Sequence, residues 1–168
     1  MVDNERSGFR KLIRRRVLAC WHKERYDGVA QRTNVLLVDD DITVRQSLEQ
    51  VLTMENFRVV PVANGHDALR EFGEKHIDIV LLDLNLGSES GWDTFDKLKR
   101  IRPLLPVIIM TGNPGHGPKR PTDRAEAFME KPLDLTMLCR KLTDLATQAA
   151  AGRAVRTVPE VDSGALSA

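Results

Sequence analysis

Short apolar runs alternate with longer amphipathic stretches from residue 34 to about residue 150, and this alternation constrains the fold more than any other feature. The apolar runs have the length of buried strands, and the stretches between them show helical periodicity. The pattern is typical of an α/β fold in which helices cover both faces of a parallel sheet. The predicted strands are residues 35–39, 57–62, 77–83, 107–111 and 127–130.

Four of the amphipathic stretches predict helices. In the first stretch, Val44, Leu48, Val51 and Leu52 follow the spacing of one helical face. The third helix is expected to end at Pro103, because proline cannot continue a helix. The predicted helices are residues 42–55, 64 to about 75, those between Gly91 and Pro103, and 134 to about 150.

The interval between the fourth and fifth strands differs from the others. Three prolines and three glycines lie within residues 112–121. Because each interior proline costs a helix about 3 kcal/mol, the helix expected here, the fourth of a regular series, is predicted to be short or missing. We expect residues 113–124 to be mobile.

The two ends of the chain differ from the middle in composition. Residues 1–33 contain nine Lys and Arg against four Asp and Glu, whereas the whole chain has a net charge of only +1. We predict a basic N-terminal extension at 1–33, with a short helix at 9–21, followed by one domain at 34–150. Residues 151–168 are rich in Ala, Gly and Ser without periodicity, which predicts a disordered C-terminal tail.

Cysteine content and hydropathy indicate the compartment. Cys20 and Cys139 lie far apart and do not form a metal-binding spacing. No apolar segment approaches the roughly 18 residues of a membrane span, and the N-terminus lacks the apolar core of a signal peptide. We therefore predict a cytoplasmic protein without a membrane span.

Polar residues follow four of the predicted strands. In a doubly wound sheet the carboxyl ends of the strands form the functional edge, so these residues are expected to lie close together. They are Asp39, Asp40 and Asp41 after the first strand, Asp83 at the end of the third, Thr111 at the end of the fourth and Lys131 after the fifth.

A cluster of carboxylates at this edge requires a compensating cation. Two carboxylates about 4 Å apart repel each other by about 4 kcal/mol at an effective dielectric constant of 20. A ligand set of oxygens alone suits Mg²⁺, or Mn²⁺, better than Zn²⁺. Mg²⁺ usually shares its coordination with a phosphate, and Lys131 and Thr111 offer the charge and the hydroxyl donor that a phosphoryl group needs.

Four motifs in order, VLLVDDD, LLDLNLGSESGW, IIMTG and FMEKP, resemble the receiver domain of two-component response regulators. The resemblance covers residues 34 to about 148. The spacings are also similar, with 43 residues from Asp40 to Asp83, 28 from there to Thr111 and 20 on to Lys131. The resemblance implies a flavodoxin-like fold with strand order 2-1-3-4-5. Fewer than 20 residues follow the last predicted helix, so we expect a stand-alone receiver.

The resemblance also implies a role for individual residues. Asp83 would be the phospho-acceptor, and Gly91, eight residues later, fits the family pattern. Phe128 takes the place of an aromatic switch residue, although a half-buried core aromatic is an equal interpretation. The implied Mg²⁺ ligands are Asp39, Asp40, Asp83 and the backbone carbonyl of Asn85, the phosphoryl-stabilising residues are Thr111 and Lys131, and the switch pair is Thr111 and Phe128.

The implied partners are a sensor or hybrid histidine kinase, or a histidine phosphotransfer protein, and an unknown downstream protein. Such a domain is a signalling module that catalyses only its own phosphotransfer and dephosphorylation. Output would occur through protein contact or phosphorelay, and nucleic acid is not an expected partner. The resemblance does not define an oligomeric state.

Two alternative functions belong to other classes. The basic extension at 1–33 could make the protein a DNA-associated regulator, or the fold could serve as a phosphorylation-independent interaction module. The second is disfavoured because every acidic, hydroxyl and lysine position is present. One departure from the family pattern is Gly87, which stands where many receivers have proline and is expected to loosen the loop after Asp83.

Overall fold

A computed structural model of the chain describes residues 32–87, 89–112 and 124–156. Its main sheet contains five parallel strands in the order β2-β1-β3-β6-β7, and a separate pair, β4 and β5, forms a small antiparallel hairpin. The strands are β1 (Asn34–Val38), β2 (Arg58–Val62), β3 (Ile79–Asp83), β4 (Asn85–Leu86), β5 (Glu89–Ser90), β6 (Val107–Thr111) and β7 (Ala127–Glu130).

The order of the main sheet confirms the predicted 2-1-3-4-5 arrangement, because β6 and β7 are the fourth and fifth strands of the prediction. Four boundaries differ by one or two residues, and the first strand begins at Asn34 rather than at residue 35. The third strand begins at Ile79 rather than at residue 77, and the first ends at Val38 rather than at residue 39. The second begins at Arg58 rather than at residue 57.

Four helices lie within the described residues: α1 (Ile42–Met54), α2 (Gly65–Glu74), α3 (Gly91–Ile101) and α4 (Leu135–Arg156). Asp41, Asn64 and Asp134 cap α1, α2 and α4 by accepting hydrogen bonds from backbone N–H groups of the first turn. Such side chains replace the intrahelical partners that the first N–H groups lack. These caps fix the residues at which α1, α2 and α4 begin.

Helices cover both faces of the sheet, as the alternation of the sequence predicts. Successive residues of β3 point to opposite faces, so that Ile79 and Leu81 pack towards α1 and α4 while Val80 and Leu82 pack towards α2 and α3. These residues are fully buried. A strand that is apolar on both faces is typical of a central parallel strand.

The segment before β7 is attached to α3 by a buried lysine. The Lys99 ammonium group donates a 2.6 Å hydrogen bond to the backbone carbonyl of Leu105 and lies 3.6 Å from a carboxylate oxygen of Glu126. Burial lowers the pKa of Lys99, against the opposing effect of Glu126. The other carboxylate oxygen of Glu126 accepts a 2.6 Å hydrogen bond from the N–H of Val107, so α3, β6 and β7 are held together.

Two features of the structure differ from the predictions. The last helix does not end near residue 150 but continues to Arg156, so the prediction of disorder fails for residues 151–156. Alanine has the highest helix propensity of any residue, so the three consecutive alanines at 149–151 favour continuation of the helix. The continuation was not predicted because this part of the sequence has no apolar stripe. The hairpin of β4 and β5 was not predicted, because strands of two residues are too short to show a periodicity.

Several predictions lie outside the described residues. These are the basic extension with its helix at 9–21, the tail from 157 onwards, and the short or missing helix and the mobility of the segment at 113–123. The described residues just before β7, 124–126, form a turn and a bend rather than a helix. Within the part of the chain that the structure describes, no helix is both long and apolar enough to cross a membrane.

Candidate metal and phosphoryl site

The carboxyl ends of the central strands bring the acidic residues together. Asp39 directly follows β1 and Asp83 ends β3, and these strands are hydrogen-bonded neighbours in the sheet. One carboxylate oxygen from each of Asp39, Asp40 and Asp83 lies within 4.8 Å of the others. Asp39 is fully buried, Asp83 is nearly so and Asp40 is exposed. The cluster is thus a buried pair of carboxylates with a third at the surface.

Lys131 provides the positive charge that this cluster needs. Its ammonium group donates hydrogen bonds of 2.7 Å to Asp39 Oδ2 and 2.5 Å to Asp83 Oδ2. Burial lowers the pKa of Lys131, but the hydrogen bonds and the negative charges of Asp39 and Asp83 together outweigh burial and hold its pKa above the usual value. Burial raises the pKa of Asp39, against the opposing effect of the hydrogen bond from Lys131. The lysine therefore remains charged between two acidic partners.

Backbone N–H groups orient the two buried carboxylates. The N–H of Asp41 donates a 3.0 Å hydrogen bond to Asp39 Oδ1, and the N–H of Asn85 donates one of the same length to Asp83 Oδ1. Each buried carboxylate therefore uses one oxygen for a backbone contact and the other for Lys131. The Asp40 carboxylate has no hydrogen-bond partner within residues 32–87, 89–112 and 124–156, so its oxygens are available to a ligand.

Arg45 also belongs to this site, although no motif of the sequence indicated it. Its guanidinium group, one turn into α1, donates hydrogen bonds to the backbone carbonyls of Asp39 at 2.6 Å and Asp40 at 3.3 Å. It thereby fixes the backbone that carries both acidic side chains. The only available signal was its spacing of four residues from Asp41, which is one helical turn after the N-cap.

Thr111 and Phe128 lie on one face of the sheet. Thr111 ends β6 opposite Glu130, and Phe128 is two residues before Glu130, so the side chains of Thr111 and Phe128 project to the same side. The backbone carbonyl of Thr111 accepts a 2.8 Å hydrogen bond from the N–H of Lys131, which joins the two at the functional edge. The Lys131–Pro132 peptide bond is cis.

The ring of Phe128 packs against α3. Its centroid lies 6.4 Å from the Trp92 ring at a tilt of 40°, and 36% of the residue is exposed. Trp92 in turn contacts Phe95 edge to face, with centroids 5.7 Å apart.

The structure brings Asp39, Asp40, Asp83 and Lys131 into one cluster, with Thr111 attached to it through the backbone. Phe128 stands apart from this cluster, between β7 and α3.

The cluster fits a divalent cation that prefers oxygen ligands. Its side-chain ligands are carboxylates, and its exposed member, Asp40, gives access from solvent. Mg²⁺ is commonly held by one or two carboxylates together with water and a phosphate oxygen. A ligand set of three carboxylates near a lysine therefore suits Mg²⁺ and is unlike the Cys and His sites of zinc.

The sheet order, together with an acidic cluster and a lysine at its carboxyl edge, defines a receiver domain of response regulators. The family model for the response regulator receiver domain matches residues 35–143, and the chain belongs to this family. The transcriptional regulatory protein GlrR of Escherichia coli (strain K12) is 31% identical over 120 residues. The matched region covers 70% of this chain but 27% of GlrR, so the chain spans only about a quarter of that relative.

Solved structures show the same fold. The response regulator protein TrrA of Thermotoga maritima, in complex with Mg²⁺-BeF, superposes with a TM-score of 0.63 at 23% identity, covering 67% of this chain and 98% of TrrA. A complex of the histidine kinase ThkA with TrrA gives a TM-score of 0.62 at 23% identity, covering 67% of this chain and 97% of the matched one. The predicted fold and family are therefore confirmed.

Proposed function

We propose that Asp83 accepts a phosphoryl group from a phosphohistidine, carried by a sensor or hybrid histidine kinase or by a histidine phosphotransfer protein. The observation that supports this most strongly is the cluster of Asp39, Asp40 and Asp83, whose oxygens lie within 4.8 Å of one another while Lys131 bridges two of them. TrrA, a relative in fold, has been solved in complex with a histidine kinase, which is consistent with such a donor.

Mg²⁺ is the proposed cofactor, held by Asp39, Asp40, Asp83 and the backbone carbonyl of Asn85. When bound, it would neutralise the acidic cluster and orient the incoming phosphoryl group. Mn²⁺ has the same preference for oxygen ligands, but the bound state of TrrA contains Mg²⁺ and supports that ion. The N–H of Asn85 already holds Asp83 Oδ1, so the backbone of Asn85 lies beside the acceptor.

In the transfer step, a carboxylate oxygen of Asp83 forms a bond to phosphorus. The bond between phosphorus and the imidazole nitrogen of the donor breaks, and its electron pair leaves with the imidazole. Lys131 now contacts Asp83 Oδ2, and it would exchange this contact for a phosphoryl oxygen while keeping its hydrogen bond to Asp39. The hydroxyl group of Thr111 would donate a further hydrogen bond. The protein thus supplies position and charge for its own phosphorylation and dephosphorylation.

The output of such a step would be a shift between two conformations. Thr111 ends the strand next to Lys131, and Phe128 shares its face of the sheet, so both could follow the new phosphoryl group. A downstream protein that discriminates between the two conformations, or a phosphorelay partner, would receive the signal. The cytoplasmic location predicted from the sequence stays a prediction.

Incubation with acetyl phosphate and Mg²⁺, followed by intact-mass measurement, tests this function. We expect the wild-type protein to gain the mass of one phosphoryl group, and we expect neither the Asp83→Asn variant nor the wild type with excess chelator to do so. An equal mass gain in Asp83→Asn would contradict the assignment of the acceptor. No gain in the wild type would contradict the proposed function itself.

A further inference from the structure

The hairpin of β4 and β5 begins two residues after Asp83. Asn85 pairs with Ser90 and Leu86 with Glu89, and the buried side chain of Leu86 packs into the core between the sheet and α2 and α3. Gly87, which follows β4, has a φ angle of +66°. Proline cannot adopt this angle, because its ring fixes φ near −65°. Gly87 therefore supports a hairpin rather than loosening the loop.

The hairpin donates a hydrogen bond to one of the three acidic residues and approaches a second. At its base, the N–H of Asn85 donates to Asp83 Oδ1 at 3.0 Å. Beyond β4, the position that a Cβ atom of Gly87 would occupy lies 3.4 Å from Asp40 Oδ2. A displacement of the hairpin would therefore change the surroundings of Asp40 and Asp83 together.

Glu89 attaches the hairpin to the rest of the domain. Its Oε2 atom accepts a 3.0 Å hydrogen bond from the N–H of Gly65, the first residue of α2. The N–H groups of a first helical turn lack intrahelical partners, and the helix dipole favours a negative charge there. The contact joins residues that are 24 positions apart in sequence. Together with the buried side chain of Leu86, it attaches the hairpin to the rest of the domain.

We propose that Glu89 is a positioning residue for the Mg²⁺ site, and that it acts by holding the hairpin against α2. The inference rests on the proposed function, because it concerns the same metal site. With Glu89 in place, Asn85 and Gly87 stay fixed beside Asp83 and Asp40. Without it, the backbone of Asn85 loses its fixed position, and binding of Mg²⁺ must first restore the order of the hairpin.

The other interpretation is that Glu89 only stabilises α2. A matched control separates the two, because α2 has a second cap that does not touch the hairpin. The side chain of Asn64 accepts a 2.8 Å hydrogen bond from the N–H of Asp67 in the same first turn. The Asn64→Ala variant removes this cap and leaves Glu89 and the hairpin unchanged. It therefore measures what a weaker α2 does by itself.

The experiment is an Mg²⁺ titration followed by amide NMR signals, without any phosphodonor, on the wild type and on Glu89→Ala, Glu89→Gln and Asn64→Ala. Groups that support metal ligands typically change the affinity by about 10- to 100-fold. Glu89 acts through the backbone and contacts no ligand directly, so we expect Glu89→Ala to weaken Mg²⁺ binding by about 3- to 10-fold, at or below the lower limit of that range. Glu89→Gln keeps a hydrogen-bond acceptor, and it should stay close to the wild type, as should Asn64→Ala.

Three results would overturn the inference. Equal affinities of Glu89→Ala and the wild type would show that the hairpin needs no anchor. Equal losses of Mg²⁺ affinity in Glu89→Gln and Glu89→Ala would assign the effect to the charge of the Glu89 carboxylate rather than to the position of the hairpin. An equal loss in Asn64→Ala would assign it to the stability of α2. Failure of the wild type to bind Mg²⁺ is a separate result, because it would remove the metal site of the proposed function together with the inference.

Discussion

At the scale of single residues, Lys131 is the group on which the acidic cluster depends. It contacts Asp39 and Asp83, which are both buried, and only 21% of its side chain is exposed. Removing one partner from a buried ion pair leaves an uncompensated charge, which costs more than the pair itself contributes. The sequence placed Lys131 at this edge. It did not predict that the ammonium group would contact two carboxylates directly, because that requires the distance between β1 and β3.

We predict that Lys131→Ala lowers the free energy of unfolding by about 2 kcal/mol or more in buffer without divalent ions. Mg²⁺ should restore part of this loss, because a bound cation can replace the missing charge and ligand binding stabilises the folded state. Urea unfolding with and without Mg²⁺ measures both effects.

Lys75→Ala is the matched control for this prediction. Lys75 is itself exposed and pairs at 2.6 Å with the half-buried Glu71 on α2, which also pairs with Arg70, so the carboxylate keeps a partner when Lys75 is removed. Ion pairs of an exposed lysine contribute at most about 1 kcal/mol. Its removal should have a small effect that does not depend on Mg²⁺. Equal stability of Lys131→Ala and the wild type without Mg²⁺ would show that the acidic cluster does not need the lysine.

At the scale of elements, the periodicity of the sequence predicted the strands and helices that are stabilised by packing. It missed the hairpin of β4 and β5, which depends on backbone geometry. The five main strands and the four helices follow from apolar spacing, because each buries a face against the sheet or the helices. The hairpin of β4 and β5 follows instead from the φ angle of Gly87 and the contact between Glu89 and Gly65. Neither signal can be detected in a window of sequence, because one concerns a single backbone angle and the other joins distant residues.

The start of α3 lies close to the acceptor strand, and this proximity gives a stability prediction. A Cβ atom added at Gly91 would lie 2.3 Å from the backbone carbonyl of Asp83 and 2.6 Å from the Cα atom of Leu84. The backbone would have to move, so we expect Gly91→Ala to destabilise the protein by about 1 to 3 kcal/mol. Denaturant unfolding measures this change.

Gly73→Ala controls for the exchange of glycine for alanine in a helix. Nothing lies within 4 Å of a Cβ atom added at Gly73, which is inside α2. The alanine should raise stability by about 0.5 to 1 kcal/mol, because glycine is the poorer helix former. A Gly91→Ala variant that is at least as stable as the wild type would contradict the close approach of α3 to Asp83.

The contact between Trp92 and Phe128 offers an optical measurement of switching. The chain contains two tryptophans, so Trp92 is the only one left in a Trp21→Phe variant. If Phe128 moves when Asp83 is phosphorylated, the ring 6.4 Å away must experience a different environment. We expect the Trp92 emission to change after addition of acetyl phosphate and Mg²⁺.

The additional substitution Asp83→Asn should abolish this change, and Phe128→Leu should reduce it. An unchanged emission in protein that has been shown by mass to be phosphorylated would remove Phe128 from the switch. In that case Phe128 would be a half-buried aromatic that packs on α3, the alternative that the sequence left open.

At the scale of the whole molecule, the sheet topology explains why residues far apart in sequence form one site. The order β2-β1-β3-β6-β7 places the ends of β1 and β3 side by side at the centre, with β6 and β7 next to them. Asp39 and Lys131 follow β1 and β7, while Asp83 and Thr111 end β3 and β6, so all four lie at one edge of the sheet. The family and this arrangement could be predicted from four motifs in order. Arg45 could not, since its partners are backbone carbonyls.

The role of the whole protein depends on what the receiver controls. GlrR is a transcriptional regulatory protein, and the matched region covers 27% of it, so that similarity concerns the receiver alone. The basic extension at 1–33 stays a prediction. Output by protein contact, by phosphorelay or by DNA association also stays a prediction. Signalling by protein contact and phosphorelay both require a phosphorylated acceptor, which makes the acceptor the central claim.

Chemical trapping of the acyl phosphate tests that claim most directly. After reaction with acetyl phosphate and Mg²⁺, borohydride reduces a phosphorylated aspartate to homoserine, and peptide mass spectrometry then locates the modified position. The account predicts a single homoserine at Asp83 that is absent when Mg²⁺ is chelated. Homoserine at Asp39 or Asp40 instead, or trapping that does not depend on Mg²⁺, would contradict it.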